Sequence, residues 1–198
     1  MTTANKVTIV RILLIPVFVV QILYYFRTGD EVHRFVALLC FASAAILDGV
    51  DGYIARRYNQ RSELGAVLDP LADKLLLVSG IVVLSFGGHV ALRLDPLKVI
   101  PLWLTVTIIS RDLLLLIGWG VVYTTCGKVT VRPRILGKVA TVLQMITVVW
   151  TLLKWNDQWL DYWALGAAVC TGISGLLYIY DGTRQLSASP HSLPTPKQ

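Results

Sequence analysis

The sequence predicts an all-α fold: an integral membrane bundle of six transmembrane helices with both termini in the cytoplasm. Three observations predict it. First, 55% of the 198 residues are hydrophobic and only 15% are charged, against about 25% charged in soluble domains. Second, the apolar residues fall into six blocks near the roughly 20 residues that a spanning helix needs. Third, Lys and Arg concentrate in alternate connections, the bias that sets orientation in a bilayer. The blocks read as one membrane domain over residues 1–184, followed by a disordered cytoplasmic tail over 185–198, where "SASPHSLPTPKQ" is rich in Ser and Pro.

The first span is expected at about Val7–Phe26. Its start is weakly charged and lacks a small-residue cleavage site, so it reads as a retained helix and not a signal peptide. Asn5, Thr8 and Arg11 recur at spacing three and make a narrow polar stripe. The stripe suits either a short interfacial helix before the span or a helix cap plus a snorkelling arginine. The second span is expected at His33–Ala55 and the third at Ala66–Phe86. The loop between them carries Arg56, Arg57 and Arg61. The fourth span, Val99–Tyr123, contains Arg111 and Asp112. A buried arginine there demands a partner or a wet cavity. Asp112 is its neighbour in sequence, points elsewhere around the helix, and is not the expected partner. The next connection carries Lys128, Arg132, Arg134 and Lys138, and leads to a fifth span at Ile135–Leu153. The sixth is expected at Trp159–Asp181.

With the two basic loops inside, both termini are cytoplasmic. The net charge of +6 then reflects orientation and contact with anionic lipid headgroups; no nucleic-acid motif accompanies it. Tyr24, Tyr25, Phe26, Trp155, Trp159 and Trp163 gather near the predicted outer boundary, as an aromatic belt does. Cys40, Cys126 and Cys170 lie far apart, which argues against a disulfide framework or a zinc site. Ala168 and Gly172, four apart, permit a close helix contact, either a dimer seam or internal packing.

Four aspartates stand out in so apolar a chain. Asp48 and Asp51 are three apart near the end of the second span, and Asp69 and Asp73 four apart near the start of the third. Each spacing places a pair on one helix face. The short loop makes the two helices expected antiparallel neighbours, and Pro70 falls within the first turn of the second of them. An aspartate at the centre of a membrane helix costs about 2.5–3.5 kcal/mol, and four together repel. Divalent cations relieve both problems, and carboxylate oxygens suit Mg²⁺, Mn²⁺ or Ca²⁺. Two such ions balance four carboxylates and can clamp a phosphate. Gly52, Ala55 and Gly65 keep the hairpin free of bulk, and Arg56 can grip phosphate oxygens. The competing readings are helix capping or pairing with loop arginines, and a divalent-cation transporter. A transporter needs acids along a path through the membrane; these cluster at one face.

The full spacing is Asp48-x2-Asp51-Gly52-x2-Ala55-Arg56-x8-Gly65-x3-Asp69-x3-Asp73. It resembles, at every position, the signature of the CDP-alcohol phosphotransferases. The resemblance implies transfer of a phosphatidyl-type group from a CDP-linked donor, CDP-diacylglycerol, to an alcohol, with release of CMP. It implies that Asp48, Asp51, Asp69 and Asp73 hold Mg²⁺ or Mn²⁺, two ions in all, and that Asp73 is also the general base. It implies that Gly52, Ala55, Arg56 and Gly65 line the CDP pocket, and that the protein is a homodimer in a bacterial inner membrane with its site facing the cytoplasm.

The opening "NKVTIVRILLIPVF" resembles the phosphatidylglycerophosphate synthase branch, whose acceptor is glycerol 3-phosphate. Arg111 and Lys138 match positions where related enzymes hold the acceptor phosphate, and Arg134 completes a phosphate cage with them. "RPRILGK" also resembles the cardiolipin synthases, whose acceptor, phosphatidylglycerol, likewise bears a phosphate.

Overall fold

In a computed structural model of the chain, the structure describes residues 3–57, 63–90, 97–126 and 135–187. All regular structure in these residues is helical: α1 (Thr3–Thr28), α2 (Glu31–Arg57), α3 (Glu63–Val90), α4 (Leu102–Cys126), α5 (Ile135–Leu152) and α6 (Asp157–Ser187). Each predicted span is matched by one helix, to within a few residues. Without water, a backbone must satisfy its own hydrogen bonds, so long apolar blocks become helices. Five of them hold stretches apolar and long enough to cross a membrane: Val7–Thr28, Glu31–Gly49, Leu102–Val122, Ile135–Leu152 and Asp157–Thr183. The sixth helix runs three residues into the predicted tail; residues 188–198 lie outside the described residues.

Local chemistry sets the turns. Gly29, at φ 74°, ends α1 in the left-handed conformation, where glycine has no Cβ to clash. Asp30 Oδ1 then accepts from the Val32 amide at 3.0 Å and caps α2. Asn156 caps α6 in the same way through the Gln158 amide at 3.1 Å. These two turns lie at one end of the bundle: Lys154 Nζ reaches Glu31 Oε1 at 2.6 Å, and Arg34 Nη1 donates to the Leu152 carbonyl. The bond to Glu31, with help from Tyr25, raises the Lys154 pKa. The aromatic belt sits here too, with Trp150 against Trp155 and Trp163, and Tyr24 stacked on His33.

Three sequence expectations change. Residues 3–28 are one unbroken helix, so no separate interfacial helix precedes the first span. Thr8 and Arg11 are buried to about 1% exposure, because the polar stripe faces protein and not the membrane surface. Finally, α3 begins at Glu63, which places Pro70 beyond the first turn.

The helix order in space is also not the order in sequence. α1 packs along both α2 and α3, while α2 and α3 touch over little of their described length. α6 packs against α4 and α5. Phe18 and Ile22 of α1, Phe41 of α2, Leu76, Ile81 and Leu84 of α3 and Val148 of α5 share one core. Phe18 and Phe41 meet at 5.6 Å between ring centroids. Glycines admit these rings to α3. A Cβ on Gly80 would lie 3.5 Å from Phe18, and one on Gly87 would overlap the ring of Phe26. Gly87→Ala is therefore expected to lower thermal stability in detergent by about 1–3 kcal/mol, the usual cost of overpacking. Gly49→Ala, where a Cβ meets open space, is the control. The outer surface is apolar, with Leu39, Ile46, Leu116 and Leu176 all more than 60% exposed. Such a surface is stable in hydrocarbon and not in water.

Candidate active site

Opposite the aromatic end, charged side chains of α1, α2, α3 and α4 gather into two clusters. Arg11 of α1 is the first. Its Nη1 lies 2.6 Å from Asp48 Oδ1 of α2, and its Nη2 lies 3.7 Å from Asp73 Oδ1 of α3. One guanidinium therefore bridges a carboxylate from each half of the aspartate motif. The arginine is enclosed, while the two carboxylates keep 43% and 32% of their side-chain surface open. Wedging α1 between α2 and α3 creates this bridge. Among the described residues, a cation on a third helix links the two acids across this seam.

The remaining motif residues are placed by backbone alone. Asp51, Gly52, Ala55 and Arg56 lie on the last turns of α2, and Gly65 and Asp69 on the first turns of α3; their side chains lie outside the described residues. Among the described residues no third acid, histidine or cysteine joins Asp48 and Asp73. The oxygen donors that are described fit a hard divalent cation. Two carboxylates on separate helices already converge on one positive group, each with an open side.

A second cluster begins one residue further along α3. Lys74 Nζ pairs with Asp112 Oδ1 of α4, and the same oxygen accepts from Arg111 Nη1 at 2.7 Å. The expectation that Asp112 would not partner Arg111 is therefore overturned. Adjacent residues leave a helix about 100° apart, but the long arginine stem curls back far enough to reach. Arg111 Nη2 also approaches Ser174 Oγ of α6 at 3.4 Å, and its guanidinium lies 5.8 Å from the Tyr178 ring. Two glycines make room for it. A Cβ on Gly137 of α5 would lie 3.4 Å from Arg111 Nη2, and one on Gly175 would lie 3.3 Å from its Cγ. Lys138 follows Gly137 and is exposed, so the start of α5 and Arg111 are brought together. Arg134, the third residue of the predicted phosphate cage, lies outside the described residues.

Sequence reasoning assigned no site role to Arg11. Its signal was present in the stripe of Asn5, Thr8 and Arg11, which marks a polar face without saying what that face meets. Gln144 and Thr141 follow Lys138 on α5. Gln144 donates to Thr171 Oγ1 of α6 at 2.9 Å, and Thr141 bonds the Gly137 carbonyl of its own helix, so both have partners within the bundle.

The acid pair and the cationic cluster are joined through consecutive residues of one helix, Asp73 and Lys74. A membrane protein with acids and cations so placed can meet a pyrophosphate on one side and an anionic second substrate on the other. Known proteins agree. The chain is 36% identical over 152 residues to the CDP-diacylglycerol–glycerol-3-phosphate 3-phosphatidyltransferase of Bacillus subtilis, covering 73% of this chain and 72% of that one. It is 34% identical over 182 residues to the proteins of the same name from Escherichia coli K12 and Salmonella typhimurium, covering 87% of this chain and 90% of each relative. Residues 1–174, which hold the whole aspartate motif and both charged clusters, match the CDP-alcohol phosphatidyltransferase family, and the chain belongs to it.

Proposed function

We propose that this protein transfers the phosphatidyl group of CDP-diacylglycerol to glycerol 3-phosphate, giving phosphatidylglycerophosphate and CMP. The observation that carries the reading is the meeting of Asp48 and Asp73 on Arg11. It brings the two halves of the eight-residue motif together at one end of a membrane bundle. The names of the relatives support the acceptor.

Asp73 takes the proton from the attacking hydroxyl of glycerol 3-phosphate. The freed oxygen forms a bond to the phosphatidyl phosphorus, the pyrophosphate P–O bond breaks, and CMP leaves with the electron pair. Asp48, Asp51, Asp69 and Asp73 would hold Mg²⁺ or Mn²⁺, two ions, which supplies Lewis acidity at the pyrophosphate and offsets charge on the departing CMP. Gly52, Ala55, Arg56 and Gly65 receive the CDP moiety. Arg111, Arg134 and Lys138 hold the acceptor phosphate and so fix the hydroxyl near Asp73, the kind of positioning that removes entropy from the barrier. The donor keeps its acyl chains in hydrocarbon while its nucleotide meets water. This geometry requires α3 to cross the membrane along with the other five helices, both termini in the cytoplasm and the site at the cytoplasmic face of a bacterial inner membrane, as the basic connections favour. The working unit is a homodimer.

Purified protein supplied with CDP-diacylglycerol and Mg²⁺ is expected to release CMP with glycerol 3-phosphate and to stop in excess EDTA. Turnover with phosphatidylglycerol in place of glycerol 3-phosphate would make it a cardiolipin synthase. Full activity in chelator would remove the metal role of the aspartates.

A further inference from the structure

We propose that Lys74 is an additional ligand of the acceptor phosphate, held in place by Asp112. The inference rests on the acceptor reading above and extends it to two residues outside the aspartate motif and the predicted phosphate cage.

Asp112 Oδ1 accepts from both Lys74 and Arg111. Two cations are thereby held beside a single carboxylate oxygen, and one positive charge between them is unbalanced. Arg111 packs beside Gly137 of α5 and Gly175 of α6, which leave it no room for a larger neighbour, and its Nη2 lies 3.4 Å from Ser174 Oγ. Lys74 stays half exposed and Asp112 about one-fifth exposed, so the cluster is open to a ligand. Such an arrangement is pre-organised: the cost of crowding two like charges is met in the folded protein and is relieved when an anion arrives.

The position on α3 decides which anion. Lys74 directly follows Asp73, the residue assigned to the attacking hydroxyl. A molecule with a hydroxyl at Asp73 and a phosphate a few atoms away meets Lys74 and Arg111 together. Lys74 and Arg111 against Asp112 leave one positive charge, and Lys138, next to the Gly137 that abuts Arg111, would supply a second. A phosphate monoester carries about −1.5 to −2 at neutral pH, whereas the diester of a phospholipid carries one negative charge. The cluster therefore matches a monoester better.

Lys74→Gln is expected to raise the KM for glycerol 3-phosphate by about tenfold or more, the loss of one charge-assisted hydrogen bond. The KM for CDP-diacylglycerol should change less than about threefold, whereas a fall in kcat reports lost positioning of the hydroxyl. Lys74→Arg should recover most of the affinity. Asp112→Asn gives an independent check of positioning. Removing a negative charge alone would tighten phosphate binding, but releasing Lys74 should weaken it. A raised KM supports the proposal, and an unchanged or lowered KM overturns the role of Asp112. A Lys74→Gln enzyme that melts at a lower temperature but keeps the wild-type KM would show that Lys74 merely neutralises Asp112. Protection of the protein from thermal unfolding by glycerol 3-phosphate, without donor, should weaken in parallel with KM. If the wild-type enzyme turns over phosphatidylglycerol and not glycerol 3-phosphate, the acceptor reading fails instead. The same KM comparison with phosphatidylglycerol then decides the role of Lys74.

Discussion

Asp73→Asn is expected to cut transfer by about a hundredfold or more, since a positioned general base contributes about 10²–10⁴, while CDP-diacylglycerol still binds. The fold should survive the change. Asp73 is the more distant of Arg11's two partners, 3.7 Å away against 2.6 Å for Asp48, so an amide there leaves the main ion pair intact. The measurement is CMP release at saturating substrates, beside donor affinity in the same preparation. Asparagine can still offer an oxygen to a cation but cannot accept the proton. If raising Mg²⁺ restores full turnover, Asp73 acts as a ligand and not as the base. Normal turnover without extra Mg²⁺ would exclude both roles.

Arg11→Met is expected to have the larger effect on stability. It removes the cation that, among the described residues, joins α2 and α3 and leaves two carboxylates facing each other. Breaking a fully buried pair costs about 3–5 kcal/mol. Both carboxylates here are partly open, so solvent screens them and the cost should fall to about 1–3 kcal/mol. Melting in detergent should therefore shift down, most strongly in EDTA. Added Mg²⁺ should raise the melting temperature of the variant more than that of the wild type, because a divalent ion can take over as counter-charge. Arg11→Lys should recover only part, since an ammonium lacks the fork that spans two carboxylates. Equal melting of Arg11→Met and wild type in chelator would mean the bridge is incidental.

Much of the fold was legible because the bilayer leaves few choices. An apolar block of sufficient length becomes a helix, and each expected span coincides with one of α1–α6. Lateral arrangement was not legible, because span lengths say nothing about which helices touch. The short loop suggested α2 beside α3, and they do touch, but each packs over far more of its described length on α1. Arg11 shows the same limit. Its periodicity exposed a polar face, but the acids that face meets lie far along the chain. Asp112 was misjudged for a different reason. Helical angles locate Cβ atoms, whereas the reach of arginine is set by a flexible stem. The aspartate motif was readable as a pattern, and its physical context, an enclosed guanidinium from the first helix, was not.

The wedged position of α1 also bears on biogenesis. This helix leaves the ribosome before α2 and α3, and Arg11 enters the membrane before either acid exists. On insertion scales an arginine at mid-helix costs about 2.5–3.5 kcal/mol, although one this near the end of a span can reach toward the headgroups. Asp48 follows within the next helix, but Asp73 emerges about sixty residues after Arg11. The nascent chain must therefore carry an uncompensated positive charge until the first hairpin closes and Asp48 reaches Arg11, and Asp73 then arrives with the third helix as a surplus negative charge. Synthesis order and electrostatic closure are coupled in the first three helices.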